Sequence, residues 1–178
     1  MKYDFAVIGA GPAGYTSAKK AAGAGLKTLL VEKKKLGGVC LNEGCVPSKT
    51  LLQAAKTYHH ARYGSVFGVE VEGLSFDFHK AHAHKNKIMD TMRDGIAGLM
   101  KKYKVEVVEG DAQLLPGLKI SVNGETHEAD NVLLCTGSSP AKPPIPGIDS
   151  EHVVDSTGIL NREILPEKLI IVGGGVIG

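Results

Sequence analysis

The sequence predicts an α/β fold: a parallel sheet with helices on both faces and a small three-stranded antiparallel insertion. Three observations carry this expectation. The apolar runs Tyr3–Gly9 and Leu26–Val31 are continuous rather than alternating, as in strands covered on both sides. Glycines separate the first run from the Ala-rich stretch Ala13–Ala24, which favours a helix. Further along, Asn123-Gly124 stands between Lys119–Val122 and Glu125–Ala129, and Asn-Gly between two β-prone runs is a strong hairpin signal.

Taken in order, strand Tyr3–Gly9, helix Ala13–Ala24 and strand Leu26–Val31, closed by Glu32, form a β-α-β unit. Thr50–Tyr63 has helical character. A longer helix is expected over about Asp77–Tyr103, where Ile88, Met92, Ile96 and Leu99 fall on one face and Met89, Met92 and Met100 read as core fillers. His79, His82 and His84 near its start read as solvated. Between Val105 and Ala129 short β-prone pieces alternate with turns at Pro116-Gly117 and Asn123-Gly124. Asn131–Cys135 reads as a buried strand with Cys135 as a small core residue, and Thr136-Gly137-Ser138 turns out of it. Pro140, Pro143, Pro144 and Pro146 then stiffen the chain into a boundary, so that one domain is expected over residues 1–145. Residues 146–178 read as a linker, a short helix near Ser156–Leu160, and the truncated start of a second domain. In that start, the strand Lys168–Val172 runs into Gly173-Gly174-Gly175-Val176-Ile177-Gly178, an echo of the N-terminal strand and turn. The polypeptide is accordingly expected to be the N-terminal piece of something longer.

Composition narrows the function. With 178 residues, 43% hydrophobic and 22% charged, the chain falls in the range of soluble globular proteins. A net charge of +2 gives no strong field. The basic clusters Lys33–Lys35 and Lys101, Lys102 and Lys104 read as solvated faces, and without Trp or interleaved aromatics they offer little for base stacking, so no nucleic-acid partner is expected. No run approaches the roughly 18 apolar residues needed to cross a bilayer, and no membrane partner is expected. The expected compartment is the cytoplasm, where disulfides that form tend to be catalytic or redox-sensing.

The first chemical motif is Gly9-Ala10-Gly11-Pro12-Ala13-Gly14, a G-x-G-x-x-G turn between a strand and a helix. Gly9 permits the tight turn, Gly11 lets the backbone approach a pyrophosphate, and Gly14 lets the helix pack closely on the sheet. Gly11, Pro12 and Ala13 open the helix, whose unpaired N–H groups favour phosphate. Glu32, eighteen residues past Gly14, ends the second strand where it could accept from ribose hydroxyls. These parts together define a Rossmann-like dinucleotide site. The second copy, with Gly173, Gly175 and Gly178, has the strand pattern and glycine turn alone. Two such fingerprints suggest two dinucleotides, and hence electron transfer between a flavin and a nicotinamide.

The second motif is Gly37-Gly38-Val39-Cys40-Leu41-Asn42-Glu43-Gly44-Cys45-Val46-Pro47-Ser48-Lys49. Zinc would need a second ligand pair, and the adjacent His59 and His60 lack the spacing that brings two imidazoles to one metal. A structural staple closing so short a loop would constrain the unfolded chain little. A reversible dithiol accounts for the neighbours: glycines allow an unusual path, Pro47 suits a first helical turn, and a cysteine near a helix start has its thiolate favoured. Lys49, four residues after Cys45, adds positive charge on the same helical face.

This stretch closely resembles the redox-active segment of the FAD-dependent pyridine nucleotide-disulfide oxidoreductases. The likeness runs the length of the chain, from glycine turn through dithiol helix, three-stranded insertion, Thr136-Gly137 and proline linker to the second glycine turn. Ser48-Lys49 followed by Leu51-Leu52 is most similar to the members that oxidise dihydrolipoamide, with mercuric and glutathione reductases as related alternatives. The resemblance implies two electrons passing from dihydrolipoamide, carried by a lipoyl domain of a 2-oxo acid dehydrogenase or glycine cleavage complex, through a disulfide and FAD to NAD. It implies Cys40 as the interchange thiol, Cys45 as the thiol against the flavin, and Lys49 near the flavin ring. Gly9 to Gly14 would hold the FAD pyrophosphate, Glu32 the adenosine ribose, and Thr136 and Gly137 would pass the cofactor; Gly173, Gly175 and Gly178 would begin the NAD site. In this family the nicotinamide domain, the homodimer interface and the histidine base lie further along the chain. These 178 residues are therefore expected to be inactive by themselves.

Overall fold

The computed structural model describes the whole chain, residues 1–178. Its centre is β1 (Lys2–Ile8), whose Ala6 and Val7 are fully buried. The glycine turn leads to α1 (Pro12–Gly23), which returns the chain to β2 (Thr28–Glu32), buried along its whole length and parallel to β1. Then come α2 (Gly38–Asn42), α3 (Cys45–Arg62), a 3₁₀ turn at Gly64–Phe67 and the long α4 (Phe78–Lys102). β3 (Glu106–Glu109) adds beside β2, again parallel. The arm β4 (Gln113–Leu115), β5 (Lys119–Val122) and β6 (Glu125–Leu134) is antiparallel within itself. A single six-stranded sheet results, in the order β3-β2-β1-β6-β5-β4.

The runs Glu125–Ala129 and Asn131–Cys135, expected as separate strands, are one. Nothing between them can break a strand, and each part has its own neighbour: the first pairs antiparallel with β5, the second parallel with β1. Glu128 stands opposite both Lys119 and Lys2, so the antiparallel insertion is continuous with the parallel sheet. The Asn123-Gly124 hairpin forms as expected, with φ of +52° and +81° and Val122 opposite Glu125. Asn131–Cys135, expected as a buried strand, is only partly covered: Leu134 is 58% exposed, and Val132 and Leu133 are half-buried on opposite faces of the sheet.

One sheet face carries α1 and α4, through Val7, Leu30, Ala18, Met89, Ile96 and Met100. The opposite face packs Tyr3, Ala6, Ile8, Leu29 and Val31 with Ile120, Val122 and Ala129. Of the two covers expected to be helical, the second is therefore supplied by the antiparallel arm, whose Ile120 and Val122 are all but fully buried.

α4 starts one residue after its cap, Asp77, whose carboxylate accepts from the Lys80 N–H at 3.1 Å. Its buried stripe is His82, Lys85, Met89, Ile96 and Met100, rotated from the expected Ile88, Met92, Ile96 and Leu99. Met92 is 46% exposed and fills no core, and His82, expected in water, is buried. α3 begins at Cys45 rather than Thr50, and Pro47 sits in its first turn, where no helical partner for an N–H exists.

Residues 146–178 carry one helix, α5 (Ser156–Asn161), capped by Asp155 onto the Gly158 N–H at 2.8 Å. The strand expected at Lys168–Val172 does not form; Ile170 and Val172 are 88% and 82% exposed. A strand needs a neighbour for its backbone groups, and none of the six strands borders this segment. No helix of the protein is long and apolar enough to cross a membrane.

Candidate dinucleotide cleft and dithiol

At the carboxyl ends of the parallel strands the chain leaves a cleft of about 1300 Å³. Open α/β sheets bind ligands at this edge, and the volume exceeds the roughly 300–1,000 Å³ typical of drug-sized pockets. The cleft begins at the glycine turn. Gly9 has φ of +99°, and a Cβ there would lie 2.2 Å from the Cys135 carbonyl oxygen, so β6 can pass over the turn only because the position is glycine. A Cβ on Gly14 would fall 1.8 Å from the Gly9 carbonyl oxygen, which accounts for the tight seating of α1 on β1. Gly11 differs: its φ of −67° suits any residue, and a Cβ would meet only the Gly38 Cα, at 3.9 Å. Its missing side chain leaves room in the cleft, as close backbone approach to a phosphate requires.

Gly11, Pro12 and Ala13 line this space together with Gly9, while Gly14 lies packed beneath it. Glu32 lines it too, with its carboxylate already engaged: Oε2 accepts from the Ala10 N–H at 2.7 Å and Oε1 from the Lys34 N–H at 2.8 Å. Beyond the ribose contact expected of it, Glu32 thus fixes the glycine turn against the end of β2, and each oxygen retains acceptor capacity. Thr136 and Gly137 enter the wall as the chain leaves β6. Lys33, Lys34 and Lys35, expected as a solvated face, are exposed but line the same cleft, with the Lys34 ammonium 3.1 Å from Glu43.

The dithiol segment closes the adjoining wall. Its entry is clamped to the glycine turn: the Gly37 N–H donates to the Ala10 carbonyl at 2.9 Å, and a Cβ on Gly38 would sit 2.6 Å from the Gly11 Cα. Cys40 then lies in α2, half-buried and facing the cleft; Cys45 is exposed, the first residue of α3, and not among the residues lining the cleft. Both are free thiols, and they lie side by side. That contact, with burial and the neighbouring Cys45 sulfur, pushes the Cys40 thiol up, while the Cys45 N–H and Lys49 pull it down. Lys49 is exposed and reaches the pair by its field.

The structure does not bring the second glycine turn to this cleft; Gly173, Gly175 and Gly178 lie outside its lining. Locally, however, that turn copies the first. Gly173 has φ of +114°, and a Cβ on Gly178 would fall 2.3 Å from the Gly173 carbonyl oxygen, as one on Gly14 does over Gly9.

Sequence reasoning missed three parts of the wall. Gly110, Asp111 and Ala112 follow β3 and line the cleft because β3 is parallel to β2, so its carboxyl end opens on the same edge. Asn86, Met89, Asp90 and Arg93 come from α4, and Asn161 from the end of α5. For α4 the signal was available: Arg93 stands in the register of Met89, Ile96 and Met100, a charged residue at a core position.

A Rossmann-type cleft thus lies beside two neighbouring thiols. The chain belongs to the pyridine nucleotide-disulphide oxidoreductase family, whose model matches residues 3–178. Among curated relatives, the dihydrolipoyl dehydrogenase of Chlamydia trachomatis serovar D is 42% identical over 99% of this chain and 39% of the relative. That of Bacillus subtilis strain 168 is 41% identical over 97% of this chain and 39% of the relative. The chain thus spans about two fifths of the length of these relatives. Of solved structures, the HOCl-induced flavoprotein disulfide reductase RclA from Escherichia coli is similar with a TM-score of 0.79 and 31% identity, over 92% of this chain and 35% of that one.

Proposed function

We propose that this chain forms the FAD-binding and dithiol part of a dihydrolipoyl dehydrogenase. That enzyme oxidises protein-bound dihydrolipoamide and delivers two electrons, by way of the Cys40–Cys45 pair and FAD, to NAD. One observation carries the reading: two neighbouring thiols, on a segment clamped backbone to backbone against a dinucleotide-type glycine turn. The cleft fits FAD in its size, in the space left by the absent Gly11 side chain, and in the free N–H groups where α1 begins. Gly9 to Gly14 would hold the pyrophosphate, Glu32 a ribose, and Thr136 and Gly137 the run of the cofactor past β6. Bound there, FAD supplies a two-electron acceptor for the dithiol and a donor for the nicotinamide.

The chain's own residues perform the thiol–disulfide exchange. With the pair oxidised, one thiolate of the substrate attacks the Cys40 sulfur, the S–S bond breaks, and Cys45 leaves as a thiolate. The second substrate thiolate then attacks the first substrate sulfur, closing the substrate disulfide and releasing Cys40, which takes up a proton. The substrate has lost two electrons and two protons; the cysteine pair has gained both electrons and, on Cys40, one proton, and the other proton passes to solvent. Lys49 favours the negative charge that passes through the pair, and the neighbouring Cys45 together with burial holds the Cys40 thiol up.

Residues 1–145 form the FAD domain in this reading. The second glycine turn opens the NAD site, a lipoyl domain is the partner, and the working unit is a homodimer in the cytoplasm. Similarity to the dihydrolipoyl dehydrogenases at about 40% identity, against 30–31% for the disulfide reductase RclA, favours dihydrolipoamide over other disulfides as substrate. The test is two-electron reduction of the FAD-loaded protein. A long-wavelength absorbance band that Cys45→Ser abolishes is expected, together with NADH formation from dihydrolipoamide by the gene's complete product. Absence of the band in the unaltered protein would overturn the dithiol assignment, and turnover of glutathione disulfide or mercuric ion alone would overturn the substrate.

A further inference from the structure

α2 carries Cys40 but has little to hold it in shape. It is five residues long, too short for a helix stable by itself, and its cap, Gly37, offers no side chain to its first N–H groups. Leu41 anchors it in the core, and the side chain of Asn42, its last residue, holds its polar side. The Asn42 amide donates to the Gly38 carbonyl at 2.9 Å and to the Leu36 carbonyl at 3.0 Å, folding back over the start of the same helix. The amide oxygen is held in turn by Arg93 of α4, whose guanidinium donates to it at 2.9 Å. Arg93 is oriented by an ion pair with Asp90 one turn earlier and is only 20% exposed. Every polar atom of the Asn42 side chain is thereby used, and the amide cannot flip without losing all of its partners. The chain of contacts continues past Gly38, whose backbone lies against Gly11.

We propose that Arg93 is a positioning residue for the dithiol: acting through Asn42, it holds α2, and with it Cys40, against the glycine turn. A side chain outside both sequence motifs thus sets the thiol pair's geometry and the readiness of the turn for a dinucleotide. The dinucleotide half rests on the proposed function; the thiol half does not. Releasing Asn42 lets α2 fray, and Cys40 then leaves its place beside Cys45 and becomes more exposed.

The experiment compares Arg93→Met, Arg93→Lys, Asn42→Ala and the double variant Arg93→Met/Asn42→Ala, with Met92→Ala on the exposed side of α4 as control. Two quantities are read in the reduced protein: the pH profile of iodoacetamide alkylation at Cys40, followed by peptide mass, and the dissociation constant for FAD. Arg93→Met is expected to alkylate about three- to tenfold faster near neutral pH, the factor expected for loss of one hydrogen bond. Its profile shifts to lower pH, and FAD binds about tenfold more weakly. Arg93→Lys, which keeps one donor and the charge, gives intermediate values; the double variant matches Asn42→Ala; Met92→Ala matches the unaltered protein. If Arg93→Met does not fold, Arg93→Lys and Asn42→Ala decide by the same criteria. Unchanged alkylation in Arg93→Met, or effects of Arg93→Met and Asn42→Ala that multiply in the double variant, would overturn the proposal. Failure of the unaltered protein to bind FAD would count against the proposed function instead, and the alkylation profile would still decide the role of Arg93.

Discussion

Gly9 and Gly11 stand in one turn, and the same substitution should affect them in opposite ways. A methyl group on Gly9 would lie 2.2 Å from the Cys135 carbonyl oxygen, on backbone with φ of +99°. Left-handed backbone alone costs an L-residue about 1–2 kcal/mol. The overlap must also push apart β1 and β6, which the Cys135 N–H locks to the Ile8 carbonyl at 2.8 Å, and such overpacking adds about 1–3 kcal/mol. Gly9→Ala should therefore lose about 2–5 kcal/mol of stability, the sum of these two costs. Gly11 has φ of −67° and ψ of −177°, where alanine is unstrained, and the new methyl would meet only the Gly38 Cα, at 3.9 Å. Alanine is a poorer helix cap than glycine but narrows the unfolded ensemble, and the two effects offset to within about 1 kcal/mol. The methyl instead fills cleft space in front of α1. A hydrogen bond to a charged phosphate contributes about 1.5–3 kcal/mol, so forcing the pyrophosphate off one N–H should weaken FAD binding about 10- to 100-fold. Urea unfolding and flavin fluorescence titration measure the two quantities. Unaltered FAD affinity in Gly11→Ala would refute the placing of phosphate at this turn, and unaltered stability in Gly9→Ala would refute the clamp between the turn and β6.

Two further outcomes can be checked by the same unfolding measurement. Met100, 1% exposed beneath the sheet, should cost about 2–5 kcal/mol on truncation to alanine, seen as a lower urea midpoint at unchanged slope. Burial, with Lys85 and His79 nearby, outweighs Glu163 and the Asn161 backbone and holds His82 below the ordinary histidine range. The unfolded chain then takes up a proton that the fold refuses, so stability is complete above a pH of about 6.5 and falls as the pH drops through that value. His82→Gln should flatten this acid limb, and an unchanged pH dependence would place the titrating group elsewhere.

What the sequence made legible is local, because each feature has a mechanism contained within a few residues. Asn123-Gly124 forms its hairpin since both residues tolerate positive φ, and Gly9 and Gly14 do what a strand-to-helix turn demands. The paired cysteines lie side by side. The segment Lys168–Val172 shows the limit of such reading: its β propensity is plain, but a strand is a relation between segments, and none of the six strands borders it. α4 shows another. Its period was readable and its phase was not, because apolar spacing favoured Ile88, Met92, Ile96 and Leu99, whereas the register the fold buries contains His82, Lys85 and Arg93. A reading that ranks faces by hydrophobicity must reject that register. Two of these polar groups reach across to a neighbouring short helix. Arg93 reaches α2 through Asn42, and Lys85, fully buried, gives its ammonium to the Leu160 carbonyl at 2.6 Å. That bond ties down α5 beside Asn161, which lines the cleft. The charged residues that obscured the core face of α4 are therefore the ones by which this helix shapes the candidate site.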